Sequence, residues 1–181
     1  MKPIVLVPNP VLTNPAETVT AFDSQLAKLI KDMKVTLNHA TNPKGVGLAA
    51  PQVGVSLRVF ITKPTENAAI RAFINPEIVS KSDKLTKGVP ERKNKLEGCL
   101  SVPRIWGNVK RAESLTLRYQ DEKGAAHEEK FSGFLATIIQ HETDHTNGIL
   151  FSQRVLEQKE KFFESVIDED GKEVLDEITL K

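Results

Sequence analysis

A single cysteine, Cys99, stands in 181 residues. No internal disulfide can form, so the thiol either packs or does chemistry, and one lone thiol suits a reducing compartment. Charge of one sign is not in excess. Lys and Arg total 25 and Asp and Glu 24, a net charge of +1, which gives no overall pull toward nucleic acid or an anionic membrane. No run of about 18 apolar residues is present to span a bilayer. The opening MKPIVLVPNP has too short an apolar run, and no small-residue cleavage site, for a signal peptide. Repeats and low-complexity tracts are also missing. The expectation is a cytoplasmic monomer without a membrane partner, although an organellar mature form or a viral origin would have the same composition. The hydrophobic content of 39% is enough to fill a core. One domain over residues 1–153 with an accessory tail over 154–181 is expected.

Along the chain, residues 1–20 are punctuated by proline. Phe22, Leu26, Leu29, Ile30, Met33 and Leu37 then fall on one helical stripe, which predicts a helix over residues 16–39. The segment NPKGVGLAAPQVG breaks that period and reads as a shaped loop entering the strand LRVFIT. FINPEIV, LTLRYQ and HEEKFS read as further strands, the last two joined by the turn DEKG. A second helix is expected from Ser132, as N-cap, to Asn147, with Gly148 as its stop. The fold class is α+β, with antiparallel sheets around a central helix. Lys81, Lys84, Lys87, Arg92, Lys93 and Lys95 crowd one stretch that reads as a solvated loop, with contact to an RNA-rich partner as the other reading. The last sixteen residues lean acidic around the turn EDGK.

There are four histidines in the chain, and two of them sit in QHETDHTNG, residues 140–148. With His141 at zero on a helical wheel, His145 falls at about 40° and Glu142 at about 100°. Two imidazoles one turn apart can share a metal ion, and the carboxylate between them can reach a water on it. Phe134 and Ile138 lie upstream on the same face, so the expected site has an apolar floor. Stable sites of this kind use three protein ligands and a water. Glu157, Glu160 and Glu164 follow the motif but sit in what reads as a charged, exposed helix. Cys99, beside Gly98 in EGCLSVP, is the better third ligand. A Cys–His–His set with one open position suits Zn(II) or Fe(II) and hydrolytic chemistry.

Three separated motifs then agree. GVGLAAPQ (residues 45–52), EGCLS (97–101) and QHETDH (140–145) resemble, in order, the three signature motifs of the peptide deformylase family. The flanking sequence is similar to the family from about Pro8 to Phe151. The resemblance implies removal of the formyl group from the N-terminal formyl-methionine of nascent chains, by metal-bound water on one divalent ion. Fe(II) is the expected native ion, with Zn(II), Ni(II) or Co(II) able to replace it. It implies Cys99, His141 and His145 as ligands and Glu142 as general acid/base. It further implies that the Gln52 amide and the Leu100 N–H hold the oxyanion. Val46, Gly47 and Gly98 would pair with the substrate backbone as an added strand. Glu97 and Arg111 match a pair that braces the cysteine segment. Phe134, Thr137 and Ile138, with Val46, are expected to form the pocket for the first side chain.

Departures from the family pattern are Thr146, where leucine is usual, and the short Thr137 on the pocket side. The Thr146 hydroxyl is expected to bond the carbonyl of Glu142. The acidic tail differs from the basic helix with which some members dock on the ribosome, so any ribosome contact would be transient. Two other functions stay open at this point. One is an HExxH metallopeptidase with a ligand after the helix. The other is a catalytically impaired relative that only binds nascent chains or the ribosome.

Overall fold

The computed structural model describes residues 1–41, 44–86, 88–89 and 95–178. Helix α1 spans Ser24–His39 and so starts later than the apolar stripe suggests. Asp23 is the reason: its side chain accepts from the N–H groups of Gln25 and Leu26, satisfying two donors that the first turn leaves unpaired. Upstream, Val19 stays extended and donates its N–H to Asn75 Oδ1 at 2.8 Å, while Glu17 bridges to Leu57. Phe22 lies outside the helix, yet packs against the same cluster as Leu26, Leu29, Ile30, Met33 and Leu37.

The strands form two antiparallel sheets. The first has the order β1 (Gly47–Ala49), β2 (Val59–Thr62), β3 (Arg71–Lys81), β6 (Ser114–Gln120), β7 (Ala126–Ser132). The second has the order β4 (Glu97–Cys99), β5 (Val102–Gly107), β8 (Phe162–Ile167), β9 (Glu173–Ile178). Each expected strand is found, and the turn at DEKG closes through Gly124 N–H to the Asp121 carbonyl. Alternation places the first sheet between two helices. Val59 and Ile61 face α1, whereas Phe60 turns the other way to join Ala136 and Ile139 of α2 (Gly133–Thr146). Burying one such side chain fully contributes about 1.5–3 kcal/mol.

Ser132 stands at the N-cap of α2 as expected, but its side chain makes no cap bond. The Thr146 hydroxyl bonds the carbonyl of Thr143 at 2.9 Å, one residue from the expected acceptor. The chain then re-enters helix as α3 (Phe151–Glu157). That helix ends at Glu157, so the charged helix expected to carry Glu160 and Glu164 is not formed, and Glu164 lies in β8. The acidic end is a β-hairpin, and β8 pairs with β5 through Ile105–Glu164 and Trp106–Phe163. The division at residue 153 falls inside α3. Of the basic stretch, Lys81 ends β3 and Lys84 pairs with Glu113 at 3.0 Å, while Lys87, Glu91, Arg92 and Lys93 lie outside the described residues. No helix among the described residues is long and apolar enough to cross a membrane.

Candidate metal centre

Two elements bring the ligand-type side chains together. α2 presents His141 and His145 one turn apart, with ring centroids 4.9 Å from one another and planes at 72°. β4 delivers Cys99 opposite them, with Sγ 3.2 Å from His145 Nε2. One donor atom from each of Cys99, His141 and His145 lies within 4.8 Å of the other two. A tetrahedral ion with bonds of about 2.0–2.3 Å needs donors separated by somewhat less than this, so small side-chain movements would close the set. Cys99 is 4% and His145 1% exposed, and the His141 side chain 11%.

The electrostatics suit a cation. Burial disfavours the Cys99 thiolate, but His145 and His141 outweigh it and bring the thiol down to about 5. Glu97 accepts from His141 Nδ1 at 2.5 Å, which leaves Nε2 of that ring toward the cysteine. Burial opposes ionisation of Glu97 as well, yet Arg111 and His141 hold it far below the usual carboxylate range. Arg111 grips Glu97 with two donors, Nη2 at 2.6 Å and Nε at 3.1 Å. The expected bracing pair is thus a buried fork. A thiolate and two imidazoles with a carboxylate behind one ring are residues that fit a divalent ion.

Glu142 is 3% exposed and its Oε2 has no partner among the described residues. Burial pushes its carboxyl up to about 7. It abuts β1: a Cβ on Gly47 would collide with the carboxylate, so any larger residue here would force Glu142 to shift. Gln52 sits in a short 3-10 turn over Ala50–Val53. Its Oε1 accepts the N–H of Ala49 at 2.9 Å, which turns its amide nitrogen toward Cys99 Sγ and Ser101 Oγ, each at 3.4 Å.

A cavity opens at this point. It is lined by Val46, Gly47, Gly98, Leu100, Phe134, Thr137, Ile138 and Glu142, so the structure brings every expected pocket residue to one place. β1 and β4 each stand at the edge of their sheet and both border the cavity. A Cβ on Gly98 would come within 2.6 Å of the Trp106 ring, which packs behind that strand. Sequence reasoning missed several members. Val89, 3% exposed, reaches the cavity from the stretch read as solvated; its only signal was an apolar residue among lysines. Ser101 lies in EGCLS, but nothing in the sequence points to its contact with Gln52. Asp144, Arg154 and Trp106 gave no signal, because no local pattern names the partners they meet: Arg154 and Arg111 on Asp144, and Gly98 against Trp106. Glu157, Glu160 and Glu164 do not join the donor cluster.

Similarity to known proteins agrees with this geometry. A family model described as polypeptide deformylase matches residues 1–161. Peptide deformylase of Pseudothermotoga lettingae is 43% identical over 151 residues, 83% of this chain and 81% of its own. Peptide deformylase 1 of Bacillus cereus is 42% identical over 152 residues, 84% of this chain and 90% of its own. Among solved structures, peptide deformylase from Thermotoga maritima superposes with a TM-score of 0.75 at 37% identity, covering 86% of this chain and 97% of that one. The actinonin-bound class I type b enzyme from Acinetobacter baumannii gives 0.73 at 36% identity, with 86% and 98% covered. A family match over residues 1–161, a span that contains the three motifs bordering the cavity, with relatives this similar over most of the chain, places the chain in the peptide deformylase family.

Proposed function

We propose that Cys99, His141 and His145 hold the one divalent ion with which this chain removes the formyl group from N-terminal formyl-methionine of nascent polypeptides, and that Glu142 moves the proton. The observation that carries the assignment is the three-donor cluster beside a buried carboxylate with an unpaired oxygen. An ion bound there supplies a Lewis acid and an acidified water. Glu142 would take a proton from the attacking water as its oxygen bonds the formyl carbon, and return it to the nitrogen as the C–N bond breaks, leaving formate and a free amine. Its carboxyl, pushed up to about 7 by burial, can both accept and donate near neutral pH. The Gln52 oxygen is occupied by Ala49, and its amide nitrogen makes only two long contacts, to Cys99 Sγ and Ser101 Oγ at 3.4 Å, which it can exchange for a stronger acceptor. With the Leu100 N–H it would hold the developing oxyanion, and one such donor is typically worth about 3–4 kcal/mol.

The substrate backbone would lie between the edges of β1 and β4, pairing at Val46, Gly47 and Gly98. The Val46 carbonyl already accepts from Lys63 N–H at 2.7 Å, so its N–H is the group left for substrate. The thioether of methionine suits the apolar wall of Phe134, Thr137 and Ile138. Fe(II) is the proposed native ion, on the affinity of thiolate and imidazole for it, with Zn(II), Ni(II) or Co(II) as replacements. A cytoplasmic, monomeric enzyme with transient ribosome contact is the setting a nascent-chain substrate calls for.

The metallopeptidase reading needs a ligand after the helix, and among the described residues the third donor is instead Cys99. The test is anaerobic purification, metal analysis and formate release from a formyl-Met peptide. One bound ion lost in Cys99→Ala, together with formate release by the wild type, is expected. Unchanged metal in Cys99→Ala would overturn the ligand set.

A further inference from the structure

We infer that Arg154 of α3 is a positioning residue for the metal centre, acting through Asp144, Arg111 and Glu97 on His141. The inference rests on the ligand assignment proposed above. The chain of contacts is unbroken and short. Arg154 grips Asp144 with two donors, Nη2 to Oδ1 at 2.7 Å and Nε to Oδ2 at 3.1 Å. The same Oδ2 accepts from Arg111 Nη1 at 2.6 Å. Arg111 spends its other two bonds on Glu97, and Glu97 Oε1 holds His141 Nδ1.

Signs alternate along this line, and the burial is deep: Arg111 is 5%, Glu97 4% and Asp144 7% exposed. A buried Arg–carboxylate pair is held by geometry as much as by charge, because desolvation is large and is offset only when each oxygen and N–H is met. Arg154 supplies the last of these partners. Without it Asp144 keeps one hydrogen-bonded cation, Arg111, loses the partner of Oδ1, and is left to turn between Arg111 and the nearby charge of Lys81. The guanidinium plane that fixes Glu97 then loses its outer stop. Carboxylates behind a ligating histidine set its ring orientation, and losing such support commonly costs about 10–100-fold in metal affinity.

The apolar side of α3 points to the same role. Phe151 and Val155 pack in one cluster with Cys99, and the Phe151 ring stacks 6.3 Å from that of His141. One short helix therefore touches the ligands from α2 and from β4, by an ionic arm and an apolar one.

The test is the rate at which Zn(II)-loaded protein gives up its ion to a chromophoric chelator, read beside Tm. Arg154→Met should release zinc about tenfold faster than wild type or more. Arg154→Lys should fall between them, since an ammonium cannot make the two-donor grip. Glu157→Gln, which removes the other partner of Arg154 (Nη1 to Oε2, 2.9 Å), should release zinc as wild type does. Asp23→Ala, a cap variant far from the site, controls for general loss of stability. Release from Arg154→Met no faster than from Asp23→Ala at matched Tm loss would refute the relay. Retention of zinc by Cys99→Ala would instead overturn the ligand assignment, so the two failures are told apart.

Discussion

Glu142 is kept buried beside three ligand-type groups, with one carboxylate oxygen unmet among the described residues. Such an arrangement costs stability and is explained by use. Glu142→Gln should lower kcat for formate release by about 10²–10⁴-fold while metal content stays at the wild-type level; near wild-type turnover would remove Glu142 from the mechanism. Gly47 offers a finer probe, because its missing Cβ makes room for that carboxylate. Gly47→Ala should displace Glu142, so kcat should fall with little change in Tm, the β1–β2 pairing being carried by backbone. An unchanged kcat would show that the carboxylate is free to move aside. At the cavity wall, formyl-Met peptides should exceed formyl-Gly peptides in kcat/KM. One methylene in such a pocket is worth about 1–3 kcal/mol, so formyl-norleucine should follow closely. Equal kcat/KM for Met and Gly would refute the pocket formed by Val46, Phe134, Thr137 and Ile138.

Among the elements, α1 and α3 make opposite demands. α1 begins where Asp23 caps it, one sheet away from the ligands. Asp23→Ala should destabilise the protein by about 1 kcal/mol in urea unfolding and leave formate release unchanged. α3 is only seven residues long, too short to be stable alone, and holds by burying Phe151 and Val155. Phe151→Ala should cost about 3–5 kcal/mol and also quicken metal loss, because the ring lies against His141 and Cys99. Stability lost without any change in metal release would mean that α3 only fills space.

Over the whole molecule, the two sheets meet at the cavity by their edge strands, β1 and β4, and the C-terminal hairpin extends the sheet that carries Cys99. Arg104 ties that hairpin to β5, donating to the Ser165 carbonyl at 3.1 Å and pairing with Glu164. A chain ending at residue 161 should leave β5 as an exposed edge. Lower Tm and a rise in light scattering on heating are the expected readings. A truncated chain that melts at the wild-type temperature would show that the hairpin contributes nothing to the sheet.

The cluster of Cys99, His141 and His145 was legible in the residues alone, because a histidine pair at helical spacing is a local pattern and a single cysteine leaves few choices for a third donor. Strands β2, β3, β6 and β7 were legible for the same reason, since alternation and turn residues are local. The start of α1 was not: an apolar stripe continued through residues that Asp23 excludes from the helix by capping it. The hairpin β8–β9 was hidden because its partner is β5, some sixty residues away, and its charged sequence reads as a tail until that ladder forms. Likewise, nothing in the spacing of Arg111, Asp144 and Arg154 tells that their charges alternate in one buried line. Local order follows from neighbours in the chain. Which distant carboxylate meets which cation, and which apolar residue among lysines reaches the cavity, was decided only when the sheets and helices closed on one another.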